Sequence, residues 1–151
     1  MSAARARLAA AIRSDEGTDG MDGLAEGGFT VDSWEPEVLD ELPGATLARV
    51  KLTKTFRGGL TGTSTVHMIS AADGEGQPAA YTAFERYVGE LDGRKGSFVL
   101  QHCAPGSRGE RLVIAVVPGT GTEELAGITG GFEIRIDDAG VHSYVFRYAL
   151  A

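Results

Sequence analysis

The chain of 151 residues contains a single cysteine, Cys103, so no internal disulfide can form. The cross-links on which small secreted domains rely are therefore excluded. No apolar run approaches the roughly 20 residues that a membrane-spanning helix requires. With no leader of signal-peptide form either, the cytoplasm is the expected location and a membrane partner is not expected. Phosphate loops are also missing: Pro118-Gly119-Thr120-Gly121 is not followed by Lys-Ser/Thr, and Glu124 stands where a dinucleotide fingerprint needs its third glycine. The three histidines, His67, His102 and His142, have no ligand-type neighbour at helical spacing. His102 and Cys103 are adjacent in an extended run, so they point to opposite faces and cannot chelate together. No nucleophile-elbow sequence marks a Ser-His-Asp triad. Neither a metal nor any other cofactor is expected.

Charge is scarce in one sign where it matters. Residues 1–13 hold Arg5, Arg7 and Arg13 and no acid, residues 14–43 hold ten acids and no base, and the remainder holds 11 of each. These sum to +3 − 10 + 0 = −7, the net charge of the whole chain. The body is neutral and the acidity sits in the leader, a distribution that repels phosphate backbones and excludes nucleic acid as a partner. Residues 1–26 read as a tail: a short Ala-rich helical stretch over residues 2–13, then a glycine- and acid-rich segment with little to bury. Met21 is a candidate alternative start. Residues 27–151 form the expected single domain.

Glycine is abundant, 22 of 151 residues, about twice the usual ~7% share. No collagen-like period accompanies it, so it marks turns, bulges and tight corners. The residues between the glycines alternate with period two, as in Phe132, Ile134 and Ile136 against Glu133, Arg135 and Asp137. Val50, Leu52 and Phe56 alternate with Lys51, Thr53 and Thr55 in the same way. Strands are predicted near 28–34, 46–56, 62–71, 79–91, 94–103, 110–118, 131–138 and 141–150. Eight short strands with no helical period between them predict an all-β fold, a closed antiparallel eight-stranded barrel behind a flexible N-terminal tail.

The clearest hairpin is AAYTAFERYVGEL-DG-RKGSFVLQHC. A two-residue type I′ turn at Asp92-Gly93 opposes residues whose numbers sum to 185. Glu85 then faces Leu100, Tyr87 faces Phe98, and Ala83 faces His102. One face carries Tyr81, Glu85, Tyr87, Phe98, Leu100 and His102; the other carries Phe84, Arg86, Ser97, Gln101 and Cys103. Both faces are largely apolar, and a slip of one residue would exchange them. Which one lines the interior stays open. Strands apolar on both faces also predict a covered outer surface, under another subunit or the N-terminal segment, and a homo-oligomer such as a dimer or trimer is expected.

The segments GGFTVDSWE, ARVKLTKTFRGGLTGTSTVHM, YTAFERYVGELDGRKGSFVLQH, VVPGTGTEELAGITGGFEI and HSYVFRYAL together resemble small bacterial proteins of unknown function that share the allene oxide cyclase-like barrel. The resemblance runs from Phe29 to Leu150. It implies an eight-stranded barrel, similar to that of dirigent proteins, holding a hydrophobic small molecule in its cavity. It also implies a cofactor-independent isomerase or cyclase, in which a shaped pocket selects one conformer of the substrate. The chain contains no asparagine, whereas the plant cyclases hold a catalytic water with asparagine side chains, so their own reaction is not carried over.

Glu85 and His102 are diagonal neighbours in the hairpin and form the candidate acid–base pair, with Tyr81 and Tyr87 as hydroxyl donors to a developing oxyanion. Phe98, Leu100 and Trp34 are candidate ligand contacts, and Arg86 and Gln101 take that place if the facing is reversed. Trp34 is otherwise expected to plug one end of the barrel. The structural alternative pairs Glu85 with a cation inside or below the barrel and makes His102 a satisfied core histidine. Two functions follow: a cofactor-free isomerase or cyclase, or a non-catalytic small-molecule-binding or structural oligomeric barrel.

Overall fold

A computed structural model describes residues 21–104 and 112–151. Eight strands follow one another: β1 (Met21–Leu42), β2 (Ala45–Gly58), β3 (Leu60–Asp73), β4 (Pro78–Leu91), β5 (Arg94–Ala104), β6 (Val113–Val116), β7 (Thr129–Ile136) and β8 (His142–Leu150). Each strand pairs antiparallel with its neighbours in chain order, and β1 returns to β8, so the sheet closes into a barrel-like ring. Among the described residues the one helical element is a 3-10 turn at Glu123–Leu125. None of them forms a helix long and apolar enough to cross a membrane.

The ring closes through part of the expected N-terminal tail. Residues 21–26 belong to β1 and, with Gly27 to Phe29, pair with β8 from Leu150 back to His142. The helix expected over residues 2–13 lies outside the described residues, as do residues 110 and 111 of the sixth predicted strand. β1 also runs past its predicted end at Trp34 and stays paired with β2 to Leu42, with register shifts between Val31 and Ser33 and between Val38 and Asp40. Pro36 and four acids (Glu35, Glu37, Asp40, Glu41) argue against an internal strand. They suit an edge, where proline's missing N–H is not needed and charge discourages pairing. From Thr30 onward β1 has no second strand partner among the described residues.

The β4–β5 hairpin forms in the predicted register, with Glu85 opposite Leu100, Tyr87 opposite Phe98 and Ala83 opposite His102. Asp92 and Gly93 take φ of 48° and 83°, the two positive values of a type I′ turn. Closure of the ring settles the facing. Glu85, Tyr87, Phe98, Leu100 and His102 are buried inside, while Phe84, Arg86, Val88, Gln101 and Cys103 lie exposed outside.

The interior falls into two apolar clusters. The lower one packs Phe29, Phe56, Tyr87, Phe98, Phe132, Tyr144, Phe146 and Tyr148 with several leucines and isoleucines. Neighbouring rings meet at centroid distances of 5.1–6.3 Å in tilted, stacked and edge-on pairs, the offset arrangements that aromatic quadrupoles favour. The upper one is smaller: Val50, Leu52, Val66 and Ala83, flanked by Met68 and Tyr81. Trp34 does not plug an end. It stands opposite Leu52 on the inner-facing phase of β1, but beyond the stretch backed by β8, and is 58% exposed.

Candidate functional site: a buried charged layer

Between the two apolar clusters lies the only group of buried charged side chains among the described residues: Lys54, Glu85 and His102, with Ser64. They come from four consecutive strands, β2 to β5. Lys54 stands directly opposite Ser64. Ser64 stands opposite Tyr87, which makes it a diagonal neighbour of Glu85. Glu85 is in turn diagonal to His102, since Ala83 faces His102 and Leu100 faces Glu85. Strands tilted in a closed sheet turn such diagonals into a row across the interior, close enough for side chains to meet.

The contacts converge on one carboxylate. Lys54 Nζ donates to Glu85 Oε1 at 3.2 Å, and His102 Nε2 lies 2.7 Å from the same oxygen. Ser64 Oγ donates to Oε2 at 2.5 Å. The side chains of Glu85, Lys54 and His102 are 1%, 6% and 5% exposed, so water does little to screen them. Burial is the largest single influence on Glu85 and pushes its pKa up. The His102 hydrogen bond, the Lys54 and His102 charges and the Ser64 hydroxyl together outweigh it and hold the carboxyl at about 2. Glu85 is therefore an anion at neutral pH and only accepts hydrogen bonds, which assigns a proton to His102 Nε2. The Lys54 ammonium also stands 4.7 Å from the centre of the Phe29 ring, over its electron-rich face.

The tyrosines divide between the two halves. Tyr81 is half-buried beside the upper cluster, and burial, then the Glu85 charge, raise its pKa. Tyr87 lies in the lower aromatic cluster, where its hydroxyl donates to the Glu90 carbonyl at 2.6 Å. Phe98 and Leu100 are 0% and 1% exposed in that same cluster. Of the residues singled out from sequence, the structure brings Glu85 and His102 into contact and sets Tyr81 above them. Tyr87, Phe98 and Leu100 lie in the core below, Trp34 at the rim, and Arg86 and Gln101 on the outer surface. Lys54 and Ser64 were missed. The available signal was phase: in Val50, Leu52, Lys54, Phe56 the lysine occupies an inward position of an otherwise apolar series. No group of three or more His, Cys, Asp or Glu side chains among the described residues is arranged to hold a metal ion.

A closed ring of eight antiparallel strands with an aromatic lower core and a buried Lys-Glu-His layer defines an all-β protein whose polar chemistry is enclosed by its own sheet. The chain belongs to the family described as "Protein of unknown function (DUF3224)", whose model matches residues 25–148. A similar solved structure is the crystal structure of a protein with unknown function from the same family, from Shewanella oneidensis MR-1. It shares 36% sequence identity at a TM-score of 0.77, over 87% of this chain and 99% of that one. No curated protein matches the chain significantly.

Proposed function

We propose that the chain binds a hydrophobic small molecule in the upper half of its ring, above the Lys54–Glu85–His102 layer, in a barrel of the allene oxide cyclase-like kind. One observation carries this reading, the unequal filling of the interior. Below the charged layer the inner positions are packed with phenylalanine and tyrosine. Above it they are Ala48, Val50, Leu52, Val66, Met68, Ser70 and Ala83, with Tyr81 at their border and Trp34 exposed at the rim. An eight-stranded ring is about wide enough to be filled by side chains or to hold one small ligand. The same strands lined by Ala, Val and Ser leave room where Phe and Tyr would not.

The Glu85–His102 hydrogen bond favours a second reading, a cofactor-free isomerase or cyclase at the same place. A carboxyl held at about 2 is a poor proton acceptor at neutral pH. Proton transfer then falls to His102, with Glu85 orienting the ring and Tyr81 as hydroxyl donor. The outer residues Ile69, Phe84 and Val88, each 44–53% exposed, support the further proposal of a homo-oligomer, to be tested by sedimentation across micromolar concentrations.

The decisive experiment is titration with N-phenyl-1-naphthylamine, a neutral dye that brightens in apolar surroundings, with Trp34, the single tryptophan, as the energy-donor reporter. Saturable brightening with matching Trp34 quenching is expected, and Ser70→Phe, which fills the mouth, should abolish both. Absence of saturable binding, or binding indifferent to Ser70→Phe, would overturn the proposal. If a co-purifying molecule is extracted and turned over by wild type but only bound by His102→Asn, the catalytic reading follows.

A further inference from the structure

We infer that copies of this chain associate arm on face: the projecting part of β1 of one copy, residues 30–42, lies against the outer surface of β3, β4 and β5 of another. This rests on the homo-oligomer proposed above and is independent of any molecule held inside the ring. Among the described residues twelve large apolar side chains are exposed, and eight of them fall in two patches. Val31, Trp34, Val38, Leu39 and Leu42 make the arm, which has β2 along one edge and no strand along the other. Ile69, Phe84 and Val88 make the face, on outward positions of β3 and β4. Apolar side chains gathered in an exposed patch mark an interaction site, and tryptophan is among the residues that most often anchor one. Trp34 is 58% exposed and Phe84 50%.

Charge decides which patch meets which. The arm carries Asp32, Glu35, Glu37, Asp40 and Glu41 and no base. The face is the reverse. Its outward positions from Thr63 to Ile69, Thr82 to Val88 and Ser97 to Cys103 hold no carboxylate, and Arg86 stands between Phe84 and Val88. Among the described residues no ion pair engages Arg86, Glu35, Asp40 or Glu41, whereas Glu37 is paired with Arg49. Arm on arm would set acids against acids, and face on face would bring two copies of Arg86 together with no anion to meet. Arm on face brings opposite signs together. Exposed ion pairs add little affinity, so the apolar side chains drive the contact and the charges select the arrangement. The same acids keep the unpaired edge of one arm from adding as a strand to that of another. A reciprocal exchange between two copies and a closed ring of several are both built from this one contact.

The test mixes two variants that each lack one half of the contact. Trp34→Ser/Val38→Ser strips the arm, and Phe84→Ser/Arg86→Ser strips the face. All four positions are exposed, so both variants keep the fold, which far-ultraviolet circular dichroism checks. In sedimentation velocity at micromolar concentration, wild type should run as an oligomer and each variant alone as a single chain. Mixed, the variants should form a two-chain species and nothing larger, because one arm and one face remain between them. Trp34 is the single tryptophan, so the arm variant is silent in tryptophan fluorescence. Adding it to the face variant should therefore shift the Trp34 emission to shorter wavelength, as that ring leaves water. A wild type that stays a single chain would overturn both this contact and the homo-oligomer. Association that survives in either variant alone would overturn arm on face and leave the homo-oligomer standing. So would a mixture that fails to pair, or that pairs without moving the Trp34 emission.

Discussion

Neutralising Glu85 while keeping its shape isolates the buried layer from everything else in the fold. In Glu85→Gln the amide oxygen still accepts one hydrogen bond, but the Lys54 ammonium, 6% exposed, loses its counter-ion. Two routes to the magnitude agree. Removing one partner of a buried ion pair costs roughly 3–5 kcal/mol. Separately, a carboxyl held at about 2 instead of its ordinary 4.5 contributes on the order of 3 kcal/mol at neutral pH. For a chain of this length each kcal/mol moves Tm by roughly 2–4 °C, so the variant should melt about 6–20 °C below wild type. Thermal and urea unfolding followed by far-ultraviolet circular dichroism at pH 7 measures this directly. The double variant Glu85→Gln/Lys54→Met should recover most of the loss, because a neutral pair leaves no stranded charge. A Glu85→Gln protein within about 1 kcal/mol of wild type would refute the reasoning, as would a double variant no more stable than the single one.

The pH dependence follows from the same carboxyl. Its folded pKa lies below its unfolded one, so its contribution is complete above pH 4.5 and is lost as pH falls towards 2. Wild-type stability in urea should therefore drop more steeply over that window than stability of the double variant, and parallel slopes would count against the assignment. All four tyrosines, Tyr81, Tyr87, Tyr144 and Tyr148, are pushed above their ordinary 10 with burial as the largest cause, Tyr148 to about 12. The folded protein should accordingly show little phenolate absorbance at pH 10, and a phenolate signal there with native circular dichroism intact would contradict the packing of the lower core. Gly62 faces Gly89 across β3 and β4, and a Cβ on Gly62 would lie 2.3 Å from the Val88 carbonyl oxygen and 2.8 Å from the Gly89 Cα. Because both obstacles are backbone, Gly62→Ala should cost roughly 1–3 kcal/mol in urea unfolding, and a neutral effect would mean that the strands are free to part.

The parts of this fold that were legible in the sequence are those fixed by local chemistry. Asp92-Gly93 sets the β4–β5 register because its two positive φ values admit one kind of turn, and every pairing from Leu91–Arg94 to Ala83–His102 follows by counting. The start of β1 was hidden by composition. Gly23, Asp22 and Glu26 read as a solvated leader, yet a Cβ on Gly23 would stand 2.3 Å from the Tyr148 ring. Here glycine makes room for an aromatic side chain on the neighbouring strand, and that need is invisible until β8 lies alongside. Pro36 and the acids around it hid the far end of the same strand, because propensity counts them against any strand and does not distinguish an edge from a centre.

The candidate site divides along the same line. Glu85 and His102 belong to one hairpin, so a two-residue turn suffices to bring them together, and their contact at 2.7 Å was foreseeable. Lys54 is two strands away from Glu85, and the two meet only because Ser64 on β3 lies between them in a diagonal row. The slant of that row is set by how far the whole ring is sheared when it closes, a property that no single strand encodes. Facing was undecidable for a related reason. Phe84 and Val88 give the outer side of β4 as much apolar character as the inner side, and only closure of the ring, by burying Glu85 and exposing Arg86, separates them. Phase was the one local clue that reached across strands: a lysine on the inward beat of Val50, Leu52 and Phe56 has to find an anion inside the ring, and Glu85 is the only buried carboxylate among the described residues.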